Sequence, residues 1–101
     1  MPPTLLDQLP ELSKRGLARE ATIRLPHGLH SRPSAALAQL AQKFESSILL
    51  VTDNGEADVK SMLDILSLAI TPNSIVVVIT RGCDEALAMD AVCNFLEMKS
   101  E

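Results

Sequence analysis

The stretch 48–59, Ile48-Leu49-Leu50-Val51-Thr52-Asp53-Asn54-Gly55-Glu56-Ala57-Asp58-Val59, decides the fold class. Ile48–Thr52 is apolar and rich in branched side chains, as a strand is. Asp53-Asn54-Gly55 is a tight-turn signal, because these residues tolerate the positive φ angles of hairpin turns. A short strand is therefore expected to pair back through Glu56–Val59. A hairpin is antiparallel, so an all-parallel sheet is excluded.

Working outward, Ser61–Leu68 reads as a short helix whose Met62, Ile65, Leu66 and Ala69 follow one stripe. Pro72-Asn73 marks a turn. Ile75–Ile79 is five consecutive branched residues, the expected central strand. Gly82 ends it, and Asp84 is placed to cap a last helix that buries Ala88, Ala91, Val92 and Phe95. On the other side, Glu20–Leu25 alternates, with Ala21, Ile23 and Leu25 on one face. Pro26-His27-Gly28 breaks it. Ser31–Phe44 is helical, with Leu37, Leu40, Ala41 and Phe44 on its apolar side. The order βαββαβα, with three helices over one face of a mixed or antiparallel four-stranded sheet, is a two-layer α+β sandwich.

With 101 residues the chain has room for one domain. Residues 1–18 differ in texture from residues 19–101 and read as an N-terminal extension. They hold Pro2, Pro3 and Pro10, half of the six prolines, and their charges cancel. Thr4 with Asp7 resembles a capping box, and Leu5, Leu6, Leu9 and Leu12 make one apolar stripe that Pro10 limits. This extension reads as a loose leader or as a docking or oligomer-contact segment. The net charge is −4, with no Trp or Tyr, which argues against a nucleic-acid partner. No apolar run is long enough to insert in a membrane and no secretory signal opens the chain, so a cytoplasmic protein is expected. Cys83 and Cys93 fall in one expected helix, about 15 Å apart, too far for a disulfide.

The chemistry concentrates in Pro26-His27-Gly28-Leu29-His30-Ser31-Arg32-Pro33, which joins a strand to a helix. Gly28 lets the backbone turn, and Pro33 suits a first helical turn. His30 then stands beside the free N–H groups and positive end of a helix, with the Arg32 guanidinium nearby. Such a place receives anions, phosphate above all. The same field disfavours a cationic ring and leaves a neutral, nucleophilic imidazole. A histidine phosphorylated in place follows, its phosphate received by N–H groups and by Arg32, in an anion-binding loop that includes Gly28, Ser31 and Pro33. His27 and His30 form H-x-x-H, but two imidazoles with no acid or thiol in the loop make a poor metal site, so no metal and no cofactor are expected. Ser31 or Ser34 as a nucleophile with His30 as base lacks an elbow motif and an orienting acid.

Three segments carry a family resemblance. Gly28-Leu29-His30-Ser31-Arg32-Pro33-Ser34-Ala35 resembles the active-site signature of the histidine-containing phosphocarrier (HPr) family of the bacterial phosphoenolpyruvate:sugar phosphotransferase system. Val59-Lys60-Ser61-Met62-Leu63 resembles its serine signature, and Gly82-Cys83-Asp84-Glu85 with Ala88 its opening of the last helix. The resemblance spans roughly Glu20 to Met98 and implies the HPr-like open-faced sandwich, a four-stranded antiparallel sheet with three helices on one face. It implies that His30 takes a phosphoryl group from Enzyme I and passes it to IIA domains of sugar permeases, with Arg32 steadying the phosphate. Such a chain is a phosphoryl-transfer protein rather than an autonomous enzyme. Ser61 matches the regulatory serine modified by HPr kinase/phosphorylase, and Met62 and Leu63 match the apolar partner face. A regulatory module acting through Ser61 and a nitrogen-branch carrier are the alternatives. Asn73 stands where relatives often have glycine.

Overall fold

The computed structural model describes residues 5–98, and the side chains of residues 7–98. Along the chain run α1 (Leu5–Leu12), a 3₁₀ turn (Ser13–Arg15), β1 (Leu17–Thr22), α2 (Ser31–Ala41), β2 (Ser47–Thr52), β3 (Gly55–Asp58), α3 (Met62–Ser67), β4 (Ile75–Arg81) and α4 (Glu85–Leu96). The strands form one sheet in the order β1-β4-β2-β3, and every neighbouring pair is antiparallel. The antiparallel alternative therefore holds over the mixed one.

The hairpin closes as its turn chemistry requires. Thr52 pairs with Gly55, leaving Asp53-Asn54 as a two-residue loop. Asn54 donates its side-chain amide to the Leu68 carbonyl at 3.0 Å, which ties the turn to the end of α3. β4 lies inside the sheet, and the branched run that singled it out is buried on both faces from Val76 to Thr80. Val76 and Val78 join the main core with Ala21, Ile23, Ile48 and Leu50 from the sheet and Leu37, Ile65, Met89 and Val92 from the helices. Val77 and Ile79 point to the opposite face.

A fourth helix covers that opposite face, where three helices in all were expected. The second apolar cluster packs Leu12 against Val51, Val77 and Ile79, with Leu9, Ala18 and Leu49 at its margin. Burial of this stripe holds α1 in place despite Pro10, which removes one intrahelical N–H donor. The Ser13 hydroxyl donates to the Pro10 carbonyl at 2.9 Å and closes the helix. Arg15 then makes two 2.7 Å hydrogen bonds to Glu56 of β3. The part of the extension that is described is thus docked on its own sheet. Thr4 and the side chains of Leu5 and Leu6 lie outside the described residues.

Several boundaries move for local reasons. β1 begins at Leu17, because the seven-residue β4 is long enough to pair with it through Thr80. It ends at Thr22, and Arg24 N–H turns to the Leu96 carbonyl at the C-terminal end of α4. α2 stops at Ala41, where Gln42, Lys43 and Phe44 tighten into a final turn. Ala69 does not continue the α3 stripe. It is exposed, beyond the helix, with φ of 49°. Cys83 lies ahead of α4 and is exposed, Cys93 lies within it and is buried, and both are free thiols.

Candidate functional site

The strand–helix loop is held from below. Leu29 is buried and its N–H donates to the Ile70 carbonyl at 3.1 Å. Gly28 has φ of 72°, and a β-carbon there would stand 2.3 Å from the same carbonyl oxygen. Gly28 N–H donates back to the Leu25 carbonyl at 3.0 Å. The Ser34 hydroxyl, fully buried, donates to the Leu29 carbonyl at 3.0 Å. That bond makes Ser34 a clamp on the loop and removes it as a nucleophile.

His30 takes the N-cap position of α2 in an extended conformation, and its side chain makes no capping hydrogen bond. Its carbonyl accepts from Ser34 N–H at 3.0 Å, which starts the helix. His30 is exposed and directly precedes the first turn, where the Ser31 and Arg32 N–H groups have no intrahelical acceptor. Arg32 is exposed and makes no ion pair among the described residues. Pro33 occupies the third helical position, short of any carbonyl that would need its missing N–H. No Asp or Glu occurs from residue 25 to residue 44. An uncapped helix start, a free guanidinium and the absence of carboxylates together favour an oxyanion at His30.

One neighbour was missed as a partner. The rings of His27 and His30 lie 5.9 Å apart between centroids, tilted by 64°. The H-x-x-H spacing is the sequence signal for this pair. Among the described residues no group of three or more His, Cys, Asp or Glu could hold a metal ion.

Ser61 is placed elsewhere. It caps α3 by accepting from Asp64 N–H at 3.3 Å, and its own N–H donates to the Asp58 carbonyl at 2.9 Å. Lys60 beside it donates to the Phe44 carbonyl at 2.7 Å and accepts through its own carbonyl from Gln42 at 3.0 Å. Those ties lie at the C-terminal end of α2, whereas the His30 loop is tied to the chain leaving α3. Ser61 and His30 therefore sit at opposite ends of α2. Met62 is half-buried against the core, while Leu63 is 77% exposed, so the free apolar side chain of the pair is Leu63.

The opening of α4 departs from the expected cap. Asp84 occupies the N-cap position without a side-chain capping bond. Its carboxylate reaches the α2–β2 connection instead, accepting from the Ser46 hydroxyl, from Ser46 N–H at 2.9 Å and from Glu45 N–H at 3.0 Å. Three donors outcompete one helix N–H. The Ser46 hydroxyl first, and the Glu45 N–H after it, hold the Asp84 carboxyl below the usual range. Gly82 fits the same contact, since a β-carbon there would lie 2.6 Å from Ser46 Oγ. Asn73, with φ of 66°, adopts the left-handed turn expected of a residue replacing glycine.

Residues 17–98 match the family model described as the PTS HPr component phosphorylation site. The chain is similar to Phosphocarrier protein HPr of Buchnera aphidicola subsp. Baizongia pistaciae, at 35% identity over 77% of this chain and 92% of the relative. It is also similar to the HPr-like protein Crh of Halalkalibacterium halodurans, at 37% identity over 78% of this chain and 94% of the relative. Among solved structures, phosphocarrier protein HPr from Bacillus anthracis str. Ames superimposes with a TM-score of 0.76 at 30% identity, covering 78% of this chain and 94% of that one. The matched segment contains every strand together with α2, α3 and α4, and leaves only α1 and the 3₁₀ turn before it. On sequence and fold alike, the chain belongs to the HPr family of phosphotransferase-system phosphocarriers.

Proposed function

We propose that His30 is the phosphoryl acceptor of this chain and that the chain shuttles phosphoryl groups between proteins. The observation that carries the reading is the exposed His30 ring at the N-cap of α2, uncapped by its own side chain. A ring nitrogen lone pair attacks phosphorus as the bond from phosphorus to the donor breaks, and that electron pair leaves with the donor atom. The Ser31 and Arg32 N–H groups and the Arg32 guanidinium receive the phosphoryl oxygens. The reverse step delivers the group to the next acceptor. Neither step needs a cofactor. The donor is phosphorylated Enzyme I, charged from phosphoenolpyruvate, and the acceptors are IIA domains of sugar permeases. Leu63, exposed beside Met62, supplies apolar contact for these partners. The setting for this exchange is the cytoplasm.

Ser61 supports a regulatory role in addition. Its hydroxyl is half-exposed at a helix start beside the Met62–Leu63 surface. Phosphorylation by an HPr kinase would add about −1.5 to −2 charge there. With Ser61 and His30 at opposite ends of α2, that charge acts on the partner's approach rather than on the imidazole.

Intact-mass spectrometry after mixing the protein with phosphoenolpyruvate, Mg²⁺ and Enzyme I tests the carrier reading, with His30→Ala beside it. One acid-labile phosphoryl adduct is expected on the wild type and none on the variant. No adduct with the host's own Enzyme I would leave Ser61 as the route of action.

A further inference from the structure

The chain places a second imidazole beside the first, next to a firmly anchored backbone. His27 and His30 flank Gly28-Leu29, the best-anchored part of the loop. Gly28 is pressed against the Ile70 carbonyl and Leu29 is buried and bonded to the same oxygen. The two rings emerge on one side, 5.9 Å between centroids and tilted by 64°, and both are exposed. A phosphoryl group on a His30 nitrogen extends its oxygens beyond the ring edge, into the range where a second ring can hydrogen-bond them.

The charges around this pair favour that contact. Arg24 lies between the end of β1 and the loop, and Arg32 stands in the first turn of α2. The α3–β4 connection facing the loop has no charged residue between Ser67 and Ile79. Just past the end of α4, the Glu97 carboxylate accepts from Thr22 N–H at 3.2 Å. With no acid in the loop, an anion on His30 is the natural counter-charge for His27.

We propose that His27 is a second ligand of the phosphoryl group carried by His30. Its ring N–H donates to a phosphoryl oxygen, and the cationic ring pairs with the phosphoryl charge. This inference rests on His30 being the acceptor. The two states are then linked: the phosphorylated chain holds the His27 proton more tightly, so protonating His27 favours the phosphorylated state by the same factor. The sign follows. As pH falls, this linkage pulls the phosphoryl-transfer equilibrium toward the carrier, against the proton that unphosphorylated His30 takes up, so it reads as a difference from a chain without the His27 ring.

The test follows the His27 ring by NMR across pH in the full chain, before and after phosphorylation by Enzyme I and phosphoenolpyruvate, with mass spectrometry reporting the adduct. The His27 midpoint is expected to rise by about 0.5 to 1 pH unit on phosphorylation, discounted for exposure from the larger shifts of close ion pairs. The phosphorylated fraction at a fixed phosphoenolpyruvate-to-pyruvate ratio is measured beside it. Between pH 8 and pH 6 the wild-type equilibrium constant should move toward the phosphorylated carrier by roughly 2- to 6-fold relative to that of His27→Gln, which keeps a neutral donor and shares the His30 titration. A normal adduct on His30 with an unmoved His27 midpoint, or matching pH profiles for the two proteins, overturns the proposal and leaves the carrier reading standing. No adduct at all overturns the carrier reading, and this inference falls with it.

Discussion

Gly28 shows how one residue places the candidate site. Its φ of 72° lies where a side chain is strained, and the Ile70 carbonyl fills the space a β-carbon needs. The same carbonyl accepts from Leu29, so moving it away costs a buried hydrogen bond. Ala69, just before Ile70 as the chain leaves α3, is also at positive φ. Gly28→Ala is therefore expected to destabilise the fold by about 1–3 kcal/mol and to loosen His30 over α2. Urea unfolding measures the first effect. A loss below about 0.5 kcal/mol would show that the Ile70 carbonyl gives way freely. The loop was legible in sequence because glycine, histidine, arginine and proline each signal a backbone or chemical role. Its anchor was not, because a main-chain oxygen has no side-chain signature and Ile70 reads as core.

At the scale of elements, hairpin and periodicity placed all four strands and the three helices of the main layer. The ends shifted where a hydrogen bond outside the element competed, as at Thr22 and Ala41. Asp84 is the clearest case. Its position predicts a helix cap, yet its carboxylate serves Glu45 and Ser46 and joins the start of α4 to the entry of β2. The bond is a tertiary one, so no local pattern announces it. Its pH dependence follows from the lowered folded-state pKa of Asp84. The stabilisation is present above the ordinary carboxylate range and is lost as pH falls through the lower folded value. Asp84→Asn is expected to be less stable than wild type at pH 7, with the gap closing on acidification below pH ~4. Unfolding midpoints measured from pH 7 to pH 3 check this. A gap that stays constant would mean that the carboxylate charge is irrelevant to the link.

On the scale of the whole molecule, α1 turns a sheet covered on one face into a sheet covered in part on both. The extension's stripe was visible in sequence, but its place was not, since a short helix interrupted by proline gives no reason to form alone. The reason lies on β4 and β2. Their branched residues alternate, so Val77, Ile79 and Val51 face away from the main core and need a cover of their own. Leu12, only 8% exposed, is that cover's central contact. The Arg15–Glu56 pair at the next turn adds little. Its hydrogen bonds hold the Glu56 carboxyl below its usual range, but both side chains stay more than a third exposed, and such pairs contribute about 0.2–1 kcal/mol. Apolar burial therefore dominates the docking of α1. Leu12→Ala is expected to lower global stability by about 1–3 kcal/mol, below the full cost of a central core leucine because α1 is terminal and can fray. It is also expected to raise binding of a dye specific for exposed apolar surface, while the phosphorylation proposed for His30, which joins the other layer through α2, is expected to be unchanged. Unchanged stability together with unchanged dye binding would show that β4 and β2 hold their outer face without α1. Lost phosphorylation in a folded Leu12→Ala protein would show that the back of the sheet governs the site on the front.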